Sequence, residues 1–428
     1  MLKSIFAKDE VNTGRQREFD YLKGFMMLLI FIIHAFQGTL SPKDDVMRSI
    51  YIFNSMSGAA VFIFVMGFGT TYSRHASPGE FAKSGVRFVI YQYLNNLAYL
   101  AAYLLPLPFI INSLSSESLD TVSLGIEIYG QYTNIFFISG IFYLIFALLK
   151  KLKAHTLVYF IIGTAAAIAA PFIYGKAPDI PVLGYIIRLM IGEANFVSFT
   201  PLYFLSYAMY GVTFGRIFRK VKDKKKFYLC LMPVCAVIVA VWWVLFFIQN
   251  GTNLTELYSI VNVTYTHPDI WHVVASMAHI FLMSGLIFFI VNAAGNKEPK
   301  NIAAKQLLYY NKHISKYYAL HMLTYLLASA LHSYLPFESW QCWILTIVCM
   351  VTTEIAVRGY NAVNDKIMSR KNKSNKDNKD SKSNNDNKDS KSKTDSNKNK
   401  SNKGSQKNKS KKNSKKKSKA KKQSRKSN

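Results

Sequence analysis

Arg17-Glu18-Phe19-Asp20-Tyr21-Leu22-Lys23-Gly24 runs without a break into Phe25-Met26-Met27-Leu28-Leu29-Ile30-Phe31-Ile32-Ile33-His34. This is a membrane-length apolar run that carries ionisable groups. Each such group costs roughly 2.5–3.5 kcal/mol on insertion scales, so it persists where it pairs, lines a wet cavity or does chemistry. Lys23 and His34 are eleven positions apart, about three helical turns, so they share one face and lie about 16 Å apart along the axis. Taken singly, Lys23 reads as a snorkelling cation and His34 as a helix–helix hydrogen bond. Together they place a cation near one membrane surface and an imidazole deeper below the same face. A reactant threaded between two compartments needs such a face.

The rest of the chain continues the pattern. Apolar stretches of about twenty residues are membrane-helix candidates. They fall at Tyr21–Thr39, Tyr51–Tyr72, Val86–Ile110, Tyr132–Leu149, His155–Tyr174, Phe199–Phe218, Phe227–Ile248, Ile270–Asn292, Ile314–Tyr334 and Trp340–Val357, ten in all. Val182–Ile191 carries Arg188 and is too short to span; it reads as interfacial or re-entrant.

Charge in the breaks gives an independent count. Positive residues cluster in alternate breaks: Lys3 to Arg17, then Arg74, Lys83 and Arg87, then Lys150 to Lys153, then Arg216 to Lys226, then Lys297 to Lys316. The intervening breaks hold only Lys43 and Arg48, then Lys176 and Arg188, and otherwise none. The positive-inside rule puts the rich breaks in the cytoplasm. The expectation is an all-α polytopic cell-membrane protein, a bundle of about ten transmembrane helices with both termini cytoplasmic. Residues 1–16 form a cytoplasmic segment, 17–360 the membrane domain and 361–428 a tail.

The 428 residues are 50% hydrophobic with a formal net charge of +29. That charge is uneven: Arg370 to Asn428 holds about 24 Lys or Arg against about 5 Asp, roughly +19 of the total. Such a Lys, Asn and Ser sequence has too little apolar surface to fold and is expected to be disordered. A polybasic tail beside an inner leaflet is drawn to anionic lipid, by up to about 1 kcal/mol per Lys near the surface. With no aromatic residue for base stacking, no specific nucleic-acid recognition is expected. Cys230, Cys235, Cys342 and Cys349 all lie in apolar runs and read as small core residues. No metal and no bound cofactor are expected. No cleavable signal peptide is expected, since the first apolar run is long and no small-residue cleavage site follows it.

Arg17-x-x-Asp20-x-x-Lys23-Gly24, with His34 in the same helix, resembles the opening of the membrane acyltransferase-3 family. Val61-Phe62-Ile63-Phe64-Val65-Met66-Gly67-Phe68 resembles its Phe-rich second helix, and Arg87 stands where a basic residue precedes the third. Tyr203-Phe204-Leu205 with Gly211 and Gly215-Arg216 resembles its glycine-bearing middle helix, and Ser315-x-x-Tyr318-x-x-His321 lies in a stretch similar to its late helix. The likeness runs in order from about Arg15 to Tyr360. The sequence departs from the pattern at Ser84, where a paired Arg is usual, and at Met66-Gly67, where Ser-Gly is typical.

The resemblance implies transfer of an acyl group, with acetyl the expected one, from cytoplasmic acyl-CoA to a hydroxyl of a sugar or cell-envelope polymer. His34 is then the general base or acyl relay, a role suited to an imidazole. Asp20 joins it in the catalytic set by pairing with a cation to fix the helix end. Arg17, Lys23 and Arg87, helped by Arg74 and Lys83, steer the polyanionic donor. His321 divides between interhelical packing and substrate contact. His267, His272 and His279 read chiefly as structural, with an acceptor or metal site as the other reading. Glu193 and Asn195, beside the short apolar run, are further acceptor contacts. Glu354 and Arg358 form an i,i+4 ion pair.

Two other functions fit the composition. Ten helices with intramembrane charge also suit a transporter or flippase of an envelope precursor, although no half-length repeat is present. A related membrane N-acetyltransferase acting on an amino sugar would share the opening motif and differ in its acceptor.

Overall fold

The computed structural model describes residues 2–39, 44–73, 77–104, 133–192, 199–295, 299–334 and 338–392. Glu193, Asn195 and Arg74 lie outside these residues. No strand occurs among the described residues; one isolated bridge joins Phe6 to Val221. The helices are α1 (Leu2–Ile5), α2 (Arg17–Thr39), α3 (Asp45–Ser55), α4 (Gly58–Tyr72), α5 (Pro78–Leu104), α6 (Ile135–Lys151), α7 (Thr156–Ile173) and α8 (Leu183–Ile191). They continue with α9 (Pro201–Phe218), α10 (Lys224–Asn250), α11 (Leu254–Thr266), α12 (Ile270–Ala293), α13 (Ile302–Lys312), α14 (Ile314–Tyr334) and α15 (Ser339–Ser392).

Among the described residues, five stretches are long and apolar enough to cross a membrane: Asp45–Tyr72, Thr156–Ile173, Lys224–Asn250, Ile270–Ala293 and Ser339–Arg370. Their outward faces agree. On α10, Val234, Val237, Val241, Val244 and Ile248 recur at helical spacing and are exposed. An apolar stripe of that length turned away from the protein suggests membrane association. The remaining predicted stretches also form helices, α2, α5, α6, α9 and α14. The nine residues of α8 extend only about 14 Å.

The chain divides into two units, Met1–Gly359 and Tyr360–Asn428. In the second, composition predicts disorder from 361, yet α15 continues as helix to Ser392. Extending a helix that is already nucleated adds one hydrogen bond per residue fixed, and Lys is a good helix former. Residues 393–428 lie outside the described residues.

In the first unit, α2 is the hub. It packs against α3, α4, α12, α13 and α14. Its N-terminal turn is anchored by Glu18, which is buried, ion-pairs with Lys224 at 2.5 Å and accepts a hydrogen bond from Tyr228 at 3.3 Å. The N-terminal segment is tied to the α9–α10 junction: Ala7 N–H donates to the Lys220 carbonyl and Lys222 N–H to that of Ile5.

Two backbone contacts set the helix spacing. Gly67 of α4 lies against the Ala208 backbone of α9, and Gly211 of α9 lies against the Phe64 backbone of α4. A Cβ at either position would run into a carbonyl oxygen. Gly24 meets the Leu307 backbone in the same way, so α13 approaches α2 one residue from Lys23.

The predicted span Tyr51–Tyr72 is interrupted. α3 ends at Ser55 and α4 begins at Gly58, with Ser57 at φ −143° and ψ −6°. Asn54, Ser55 and Ser57 compete for backbone hydrogen bonds, and Gly58 does not favour helix. The Ser57 N–H turns back to the Asn54 carbonyl at 3.1 Å.

Gly211→Ala should therefore destabilise the protein by about 1–3 kcal/mol, read as a lower midpoint in a thermal melt in detergent. Gly69→Ala, with nothing within 4 Å of its added Cβ, should leave the midpoint unchanged or higher. Equal midpoints for the two variants would contradict the close α4–α9 approach.

Candidate functional site

α2 delivers His34 and α14 delivers His321 to the same point. His34 Nδ1 lies 2.8 Å from His321 Nε2, and the rings are nearly parallel at 10° with centroids 5.1 Å apart. His321 is buried, with Phe31 and Tyr318 set edge-on against it at 5.3 Å each. Its Nδ1 is 2.9 Å from the Tyr317 carbonyl.

Those partners assign the protons. A carbonyl only accepts, so His321 Nδ1 carries hydrogen and donates to Tyr317. Neutral His321 then presents Nε2 as an acceptor, and His34 Nδ1 must donate to it. His34 Nε2 is left as the lone-pair nitrogen. A proton taken up there leaves the Nδ1–H to His321 bond in place.

Tyr317 is held in turn. Its hydroxyl donates to Glu354 at 2.5 Å, and Glu354 also ion-pairs with Arg358 at 2.5 Å and accepts from Gln306 at 2.9 Å. The expected i,i+4 pair exists, and it clamps the turn of α14 whose carbonyl orients His321.

His34 lines a small cavity of about 40 Å³ with Tyr51, Asn54, Ser55, Ile135 and Tyr318. Lys23 lines a second, of about 220 Å³, with Phe62, Met66, Phe88 and Tyr143. Ile135 and Tyr318 line both, so Lys23 and His34 stand on adjoining cavities. Asn54 is buried and its Oδ1 has no hydrogen-bond partner. It is an unsatisfied acceptor among the described residues, on a side chain that lines the same cavity as His34.

The interrupted α3–α4 segment that carries Asn54 is strapped by one face of α12. His272 hydrogen-bonds the Ser55 backbone, Ser276 Oγ donates to the Met56 carbonyl, and His279 Nδ1 is 2.9 Å from Ser57 Oγ. Because His272 Nδ1 is unpartnered, its donor is Nε2–H. His272 and His279 thus brace the break. His267 sits apart, edge-on to Tyr174 and Tyr203 and bonded to Thr266.

Asp20 pairs with Arg15 at 2.5 Å and accepts from Asn311 at 2.8 Å, about 21 Å along α2 from His34. It fixes the helix end and does not reach the imidazole. Arg17 is half-buried at the same turn, and Arg87 is exposed on α5 and lines none of these cavities. Among the described residues no three His, Cys, Asp or Glu side chains converge as metal ligands, and all four cysteines are free.

Sequence reading singled out both histidines without joining them. It passed over Asn54 and named Tyr318 only as part of the late-helix stretch. The polar cluster Asn54-Ser55-Met56-Ser57 inside an apolar run was the available signal for the first. Compared with family models, curated proteins and solved structures, the chain matches none.

The tautomer assignment is directly measurable. Solid-state 15N NMR of histidine-labelled protein, assigned with His34→Asn and His321→Asn, should show His34 protonated at Nδ1 and bare at Nε2. A bare Nδ1 on His34 would contradict the relay.

Proposed function

We propose that the chain is an integral membrane acyltransferase of the kind its first helix resembles. It moves an acyl group, acetyl in the simplest case, from cytoplasmic acyl-CoA to a hydroxyl of a sugar or cell-envelope polymer. The carrying observation is the His34–His321 pair, whose free nitrogen belongs to a residue lining the cavity next to that of Lys23. In this reading ten helices span the membrane, both termini are cytoplasmic, and His34 lies toward the outer half.

The chemistry follows from the proton assignment. His34 Nε2 takes the acceptor hydroxyl proton as the oxygen attacks the thioester carbonyl. The new C–O bond forms, the C–S bond breaks, and the leaving thiolate takes the proton back from Nε2. His321 holds Nδ1–H throughout, so the ring keeps its orientation and shares the transient charge. Asn54 Oδ1 accepts a hydrogen bond from the acceptor and orients it.

A transporter reading has one observation in its favour, the helix interruption at Met56-Ser57. Discontinuous helices line substrate sites in transporters. An N-acetyltransferase would form a stable amide where the hydroxyl reading forms a base-labile ester.

Membranes supplied with radiolabelled acetyl-CoA should place base-labile label in envelope material. His34→Ala at matched protein level should lower that labelling at least about 100-fold. Equal labelling by wild type and variant would move the chemistry away from α2, and movement of an envelope precursor without labelling would favour the transporter.

A further inference from the structure

A third cavity, of about 730 Å³, is lined by Lys150, Arg216, Arg219 and Lys220, with Glu10 as its one acidic side chain among the described residues. The charges do not cancel. Glu10 pairs with Arg219 at 2.7 Å. Arg216 donates to the Ala154 carbonyl at 3.0 Å and lies over the Tyr159 ring. The Lys150 ammonium lies over the Phe81 ring. Burial, then the neighbouring Arg216 and Arg219 guanidiniums, push the Lys150 ammonium down from its usual range. Lys150 follows the predicted span 132–149, so this is the end that the positive-inside rule assigns to the cytoplasm. Thr156, at the N-terminus of the 18-residue α7, also lines the cavity and adds the positive end of a helix dipole.

This cavity is in file with the other two. One face of α4 lines all three in turn: Ala59 beside His34, Phe62 and Met66 beside Lys23, Thr70 at the basic cavity. Those positions are spaced at three, four and four residues, and the file is about 16 Å long. α6 repeats the order, with Phe136, Ser139 and Tyr143 beside Lys23 and Phe146 and Lys150 at the basic cavity. Only an aromatic layer separates the last two cavities. Tyr143 stacks on Phe88 at 5.6 Å and lies 5.9 Å from Phe81 and 6.1 Å from Phe146.

We propose that the basic cavity binds the phosphate groups of a nucleotide-borne acyl donor, whose thioester arm extends along α4 past Lys23 to His34. The inference rests on the acyltransferase reading and specifies the donor-binding end of its site. A polyanionic head on a long, thin, uncharged arm matches a basic chamber, a smaller and mostly apolar cavity as its passage, and His34, in series along α4. It also gives the phosphates a different seat from Arg17 and Arg87. Lys23 then contacts the middle of the arm.

The test uses purified full-length protein in nanodiscs, with coenzyme A and phosphate-free pantetheine as probes in equilibrium dialysis. Lys150→Gln and Lys220→Gln should each weaken coenzyme A binding about tenfold, since each removes a charged contact to phosphate. Pantetheine binding should be unchanged in both variants, which shows the passage to be intact. Coenzyme A affinity unaffected by either lysine substitution overturns the proposal. So does an equal loss for coenzyme A and pantetheine. The two readings fail separately. Lysine-dependent coenzyme A binding without acetyl transfer keeps this site and removes the enzyme. His34-dependent transfer with an unaltered KM for acetyl-CoA in both lysine variants keeps the enzyme and removes this site.

Discussion

The hydrogen bond between His34 and His321 joins two helices far apart in sequence and decides which His34 nitrogen keeps its lone pair. An isolated imidazole can carry its proton on either nitrogen. Here the Tyr317 carbonyl fixes His321, and His321 fixes His34. Glu354 holds the Tyr317 hydroxyl, and Arg358 and Gln306 hold Glu354. Each member is oriented by the next, so a change at Glu354 acts on His34 through the turn of α14 between them. Buried polar chains of this kind specify one arrangement when every member is satisfied.

Around that pair, α4 divides its surface between helix packing and cavity lining. α4 presents its glycine face to α9, where backbones meet at Gly67 and Gly211. Its opposite work, lining the cavities, falls to Ala59, Phe62, Met66 and Thr70. The break before α4 turns Asn54 toward His34, and a broken helix leaves backbone groups that must be satisfied. α12 meets that need with His272 and Ser276, and His279, at i+7 from His272, holds the Ser57 hydroxyl. His272 and His279, read from sequence chiefly as structural, brace the break, and His267 sits apart.

Much of this was legible in the sequence because it depends on local pattern. Apolar run length gave the helices, and helical spacing put Lys23 and His34 on one face. The break at Met56-Ser57 was not read, because apolar run length outweighs a few polar residues when a span is counted. The His34–His321 contact depends on how α2 and α14 pack, which no local pattern encodes. The same holds for the basic cavity: Lys150, Arg216 and Lys220 were visible as loop charge, but their convergence requires α6 and α9 to end side by side. Asp20 was placed with His34 because both belong to one motif, although about 21 Å of helix separates them.

The central claim is that a donor lies along α4 with its reactive end at the free nitrogen of His34. A cryo-electron microscopy structure of the protein with coenzyme A bound tests this most directly. The account predicts phosphate density among Lys150, Arg216 and Lys220, and the thiol within roughly 3–4 Å of His34 Nε2. Coenzyme A bound elsewhere, or with its thiol directed away from the His34–His321 pair, would contradict it.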